Sequence, residues 1–113
     1  MNNSYSDLQQ GQIVMVDFNQ TSGHEQKGYR PALIMSNSDF NQLCGGMVKL
    51  IPITSNEKKF PLHLKLPVLD NIHGVVELDQ ERTLDLSDRK FKVVDQVPTE
   101  FIETVKKVNF TTY

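Results

Sequence analysis

One cysteine, Cys44, is all that the 113-residue chain offers, so no intrachain disulfide can staple it and no paired thiols can hold a structural zinc. Its neighbours Leu43, Gly45 and Gly46 bring no cation to activate a thiolate, which favours a buried or loop thiol over a nucleophile. Long apolar runs are also missing. Stretches such as ALIM at 32–35 are four residues long, whereas a bilayer span needs about twenty. The first ten residues, MNNSYSDLQQ, have neither the basic start nor the apolar stretch of a secretion signal, and read as a polar tail on a cytoplasmic protein. Net charge is scarce as well: 12 basic against 14 acidic side chains leave −2, which argues against a nonspecific polyanion binder.

What is present suits a soluble globular domain. Hydrophobic residues make up 38% of the chain, enough for a core, and charged residues of both signs make up 23%, enough to solvate a surface. The length fits one domain over 11–113 behind a tail over 1–10. Charge is unevenly spread. Residues 23–66 carry Lys27, Arg30, Lys49, Lys58, Lys59 and Lys65 against Glu25, Asp39 and Glu57, a local +3, while 71–113 has a local −2. A basic face and a scatter of solvated cations both fit that count.

Short β-branched runs punctuated by Gly, Pro and Asn predict a mainly β barrel. Five strands are expected: IVMVDF at 13–18, ALIMS at 32–36, MVKLIPIT at 47–54, LHLKL at 62–66 and VVELD at 75–79. Pro52 suggests a bulge or an edge where no amide donor is needed. One helical turn is expected over 38–43. A C-terminal amphipathic helix is expected over 99–110, started by Pro98 and carrying Phe101, Val105 and Val108 at helical spacing.

The segment NQTSGHEQKGYRP at 19–31 is too long and polar for a tight hairpin and is a candidate functional loop. It ends at Arg30, a permanent cation whose donors can hold a phosphate or pair with Glu25 at a barrel rim. Thr54 closes the third strand, followed by Ser55, Lys58 and Lys59. Its hydroxyl can cap a turn or donate to a phosphate oxygen. His24 in the loop, His63 in the LHLKL strand and His73 in a turn offer proton transfer near working pH, or are simply loop, strand and turn residues. Their spacing is no metal signature. Tyr29 and Phe60 can stack on unpaired bases or fill the barrel wall.

Several blocks occur in one order: GxIxxVDF at 11–18, GHEQKGYRPALIMSN at 23–37, PITS at 52–55, KFPLHLKL at 59–66 and DQERTLD at 79–85. In that order the chain resembles the MazF/PemK toxins, ribonuclease partners of toxin–antitoxin pairs. The resemblance implies a compact SH3-like β-barrel of the MazF/PemK/CcdB type with a C-terminal helix, and a homodimer. It implies cofactor-free and metal-independent cleavage of single-stranded RNA to 2′,3′-cyclic phosphate and 5′-hydroxyl ends. It also implies neutralisation by a cognate antitoxin, with DNA contacted only through the antitoxin complex, and no membrane partner.

The family's catalytic arginine and threonine correspond to Arg30 and Thr54. Glu25 and Gln26 match an acidic-amide pair that shapes the loop. Gln80 and Arg82 match DQxRTxD and organise the core or groove wall. Two other readings share the barrel: a CcdB-like toxin that poisons DNA gyrase without chemistry, and a catalytically silent binding barrel.

Overall fold

The computed structural model describes residues 5–18, 28–57 and 60–113. Among these, seven antiparallel strands are β1 (Gln12–Asp17), β2 (Tyr29–Ile34), β3 (Met47–Thr54), β4 (His63–Lys65), β5 (Val75–Glu77), β6 (Arg82–Asp85) and β7 (Phe91–Gln96). Helix α1 (Ser38–Leu43) links β2 to β3, and α2 (Thr99–Phe110) ends the fold. The sheet runs β4-β5-β3-β2-β1-β7, with β6 also paired to β3. It is mainly β with a C-terminal helix, as expected, and barrel-like in form although this path leaves the sheet unclosed among the described residues.

Strand β3 organises the whole. One edge takes β2, with Ala32 opposite Pro52 and Ile34 opposite Leu50. The other edge takes two strands in succession, β6 against 47–50 and β5 against Ile53 and Thr54. Pro52 falls in the gap between them. The Met35 N–H donates to Lys49 O at 2.8 Å, which sets the phase of the β2–β3 ladder and turns the Pro52 nitrogen away from β2, toward that gap. A proline deep in the sheet therefore leaves no ladder bond unmade.

Both faces of the sheet are buried, which is why the strands read as nearly continuous apolar runs rather than clean alternations. One face gathers Ile13, Leu33, Ile51, Ile53 and Val76 beneath Ile102 and Val105 of α2. The other gathers Val14, Val16, Ala32, Ile34, Val48, Leu50 and Leu84 with Leu8 and Leu86. Fully burying side chains such as Ile102 and Val105 stabilises by about 1.5–3 kcal/mol each. Helix α2 begins after Pro98, whose carbonyl accepts from the Phe101 N–H at 3.0 Å, with Glu100 in its first turn and Lys107 in its last, both favourable to the helix dipole.

The structure departs from the sequence expectations at several places, among them the end of β5, which stops at Glu77 where a 3₁₀ turn over Leu78–Gln80 replaces the expected strand to Asp79. Strands β6 and β7 were not among the five expected. Strand β2 starts at Tyr29, ahead of Pro31. Leu8, within the segment expected as a polar tail, is 2% exposed in the second core, so the tail reading fails for that residue. Cys44 lies exposed at the C-cap of α1, on the loop side of the expectation. No described helix is long and apolar enough to cross a membrane.

Candidate active site

Arg30, in β2, and Thr54, the last residue of β3, lie two residues beyond the end of the β2–β3 ladder. The β2–β3 pairing has a constant offset, Ile34 with Leu50 through Ala32 with Pro52. Continued two residues, the same offset would bring Arg30 and Thr54 to the same end of the strand pair. Strand alternation puts both on the face of Ala32 and Leu50, where the second core gives way to solvent. Beyond the last β1–β2 pair, the Phe18 N–H donates to Gly28 O at 2.8 Å.

Around Arg30 the structure places Glu77 of β5 and Phe18 at the end of β1, with Arg82 of β6 on the same Phe18 ring. Arg30 Nη2 donates to Glu77 Oε1 at 3.3 Å. Its Cζ lies 5.7 Å from the centre of the Phe18 ring, and Arg82 Cζ lies 5.1 Å from the same ring. Phe18 thus serves two guanidinium groups, one of which, Arg30, is also paired with Glu77. Arg82 stands opposite Leu50 in β6, and Glu77 stands opposite His63 in β4.

Thr54 Oγ1 accepts from the Asn56 N–H at 3.1 Å. That is the turn role foreseen for it, and it leaves the hydroxyl hydrogen as the group to offer outward. Ser55, next in the turn, is exposed. His63 lies against the Phe60 ring, with its centroid 5.0 Å away, and Asp79, whose Oδ1 is 3.5 Å from Nε2, while Nδ1 is buried with no hydrogen-bond partner among the described residues. Gln80 Nε2 donates to Asp79 Oδ2 at 3.1 Å, so Gln80 acts on His63 through that carboxylate.

Of the residues singled out from sequence, Arg30, Thr54, Ser55, His63, Gln80 and Arg82 are drawn to one end of the sheet. His24, Glu25, Gln26, Lys58 and Lys59 lie outside the described residues. Of the two readings of the local +3 charge, a basic face or scattered cations, the described residues favour the second. Arg30 pairs with Glu77, Lys65 Nζ lies 3.5 Å from Glu57 Oε1, and Lys49 sits over Phe40, five residues back along β3 from Thr54 and about 17 Å away. Two site residues escaped the sequence reading: Phe18, seen only as the end of a strand, and Glu77, seen only as part of VVELD.

A family model of PemK-like, MazF-like toxins of type II toxin–antitoxin systems matches residues 9–108. The endoribonuclease toxin ChpB of Escherichia coli strain K12 is 39% identical, with 87% of each chain covered. Among solved structures, MazF from Deinococcus radiodurans is similar with a TM-score of 0.80 and 30% identity over 93% of this chain and 94% of that one. A MazE–MazF structure from the same organism gives 0.78 and 27% identity, with 93% of each chain covered. Sequence blocks, sheet and strand-end residues therefore converge, and the chain belongs to the PemK-like, MazF-like toxin family of type II toxin–antitoxin systems.

Proposed function

We propose that this chain is the toxin of a toxin–antitoxin pair and acts in the cytoplasm as an endoribonuclease on single-stranded RNA. The observation that supports the site is the β2–β3 register, whose constant offset, continued two residues, points Arg30 and Thr54 to one end of the sheet. RNA contains its own nucleophile. When the 2′-oxygen attacks the adjacent phosphorus, the P–O5′ bond breaks, the 2′-hydroxyl gives up its proton and the 5′-oxygen gains one. The products are a 2′,3′-cyclic phosphate and a 5′-hydroxyl. The reaction asks the protein chiefly for alignment and for charge stabilisation at a phosphorane, and neither requires a metal.

Arg30 supplies the second with a planar fork of donors. It is no proton acceptor, because a guanidinium keeps its proton. Thr54, its acceptor side already engaged by Asn56, donates to a nonbridging oxygen or holds the attacking hydroxyl. In this reading the chain works as a homodimer, and a cognate antitoxin inhibits it by covering the same surface. The Deinococcus relative has been solved as MazE–MazF, which supports a partner for this chain.

Incubation of the purified protein with mixed-sequence single-stranded RNA in excess EDTA tests the reading. Cleavage with cyclic-phosphate ends is expected. Activity abolished by chelation and restored by a divalent ion overturns the metal-independent mechanism, and intact RNA favours a binding-only toxin. Thr54→Val keeps the shape and removes the hydroxyl, and is expected to lower kcat by roughly 100-fold, the low end of what one lost donor to a developing charge costs. Wild-type cleavage by that variant would leave Thr54 as a turn residue only.

A further inference from the structure

Glu77 stands where a nuclease would least be expected to tolerate a negative charge, within hydrogen-bond reach of the arginine that is to meet phosphate. We propose that Glu77 is a positioning residue for Arg30 that also sets how tightly the site holds RNA: the carboxylate orients the guanidinium and competes with the phosphodiester for it. This rests on the endoribonuclease reading above.

Three observations carry it. First, the acid is the more buried partner, its side chain 19% exposed against 41% for Arg30. The carboxylate is therefore the fixed anchor, and the guanidinium is the end presented to solvent. Second, the contact is made by one guanidinium nitrogen, Nη2, to one oxygen, Oε1. A fork–fork pair would commit two nitrogens to the carboxylate, whereas this geometry steadies the group without spending the whole fork on it.

Third, the register puts Glu77 inside the site and not at its rim. It is directly opposite His63, and Val75, two residues earlier on the same face of β5, is opposite Thr54. Glu77 is thus the diagonal neighbour of Thr54, with Arg30 on its carboxylate and His63 across the strand pair. Any phosphate seated between Arg30 and Thr54 lies within a few ångströms of this carboxylate, and like charges at that separation repel.

The consequence is a trade. The anchor keeps Arg30 from sampling other rotamers, which supports the rate, because misplacing a catalytic group by about 1 Å costs on the order of 100-fold. The same carboxylate cancels a positive charge and so lowers affinity for the phosphodiester. Glu77→Gln removes the charge and keeps the shape. Glu77→Asp keeps the charge and draws it back from Arg30.

Kinetics on single-stranded RNA, with affinity for the same oligonucleotide carrying a 2′-deoxy sugar at the scissile position, separate the two effects across a salt series. Glu77→Gln is expected to lower KM and Kd by roughly 3- to 10-fold and to steepen the log Kd against log salt slope by about 0.7, the value of one more neutralised phosphate on a single strand. Its kcat is expected to fall several-fold as Arg30 loses its charged anchor. Glu77→Asp is expected to lose kcat with no gain in affinity. Equal Kd and equal slope in wild type and Glu77→Gln, including no binding by either, overturn the proposal. A kcat loss of about 100-fold at unchanged KM in Glu77→Gln, restored in Glu77→Asp, also overturns it and makes the carboxylate the proton acceptor instead. If wild type binds RNA without cleaving it, the endoribonuclease reading fails while the affinity comparison still decides the role of Glu77.

Discussion

Arg30→Ala is expected to lower single-turnover cleavage of RNA by roughly 100- to 1,000-fold, the scale seen when one preorganised donor to a developing charge is removed. Its melting temperature is expected to stay close to that of wild type. The side chain is 41% exposed and its ion pair with Glu77 is partly solvated, so the pair contributes little to stability. The variant leaves the Glu77 carboxylate facing an incoming phosphate without its counter-ion, so KM is expected to rise together with the fall in kcat. Arg30→Lys is expected not to rescue the rate. An ammonium can meet Glu77 or a phosphate oxygen, but it has no planar fork with which to hold two oxygens in register. Near-normal cleavage by the lysine variant would show that charge alone suffices at this position.

How far this site could be read from the chain depends on which interactions are local. Strand β3 was legible over its full range because Gly45 and Gly46 mark its start and a mostly apolar run with Val48, Ile51, Ile53 and Thr54 follows. Helix α2 was legible because Pro98, Glu100 and the spacing of Phe101, Val105 and Val108 all belong to one short segment. Strands β6 and β7 were not. RTLD and FKVVDQ carry charges at their ends and are only partly buried. They are strands because β3 and β1 offer them an edge, which no window of their own sequence records.

The same distinction holds for the site. Arg30 and Thr54 could be named as residues at strand ends in blocks that resemble a family, yet nothing in the blocks says that they share one end of the sheet. That follows from the β2–β3 offset. Glu77 and Phe18 reach Arg30 across 47 and 12 positions of chain, through a topology that threads β5 beside β3 and β1 beside β2. Alternation within VVELD does separate Glu77 from Val76 and put it on the face of Val75. What it lacks is the identity of the neighbour.

Thr54 depends on a residue that carries no side chain. Gly74 has φ +133°, a conformation that L side chains rarely adopt, and a Cβ added there would fall inside the van der Waals radius of Thr54 O, 3.0 Å from Thr54 C and 3.3 Å from Ser55 Cα. The obstacle is backbone, so it cannot turn aside as the tip of a long side chain would. Gly74 is also held from behind. Its carbonyl accepts from the Leu66 N–H at 2.9 Å, and the loop leading to it is tied to β7 by Asp95 Oδ2, which accepts from the N–H groups of Asn71 at 2.9 Å and Ile72 at 2.7 Å. With one side pinned, the strain of Gly74→Ala goes into the end of β3. The variant is expected to lose about 1–3 kcal/mol of stability, combining positive-φ strain with a displaced strand end. Its folded fraction is expected to cleave RNA on the order of 100-fold more slowly, because a shift of about 1 Å at Thr54 moves the hydroxyl off the phosphate. Gly45→Ala is the matching control, since φ is +61° but nothing lies within 4 Å of the added carbon. It is expected to cost about 1 kcal/mol and to cleave at the wild-type rate per folded molecule. Comparing kcat, corrected for the folded fraction from thermal melts, separates the two. Equal losses of stability with wild-type kcat in both variants would mean that Gly74 serves the turn alone and that Thr54 does not lean on it.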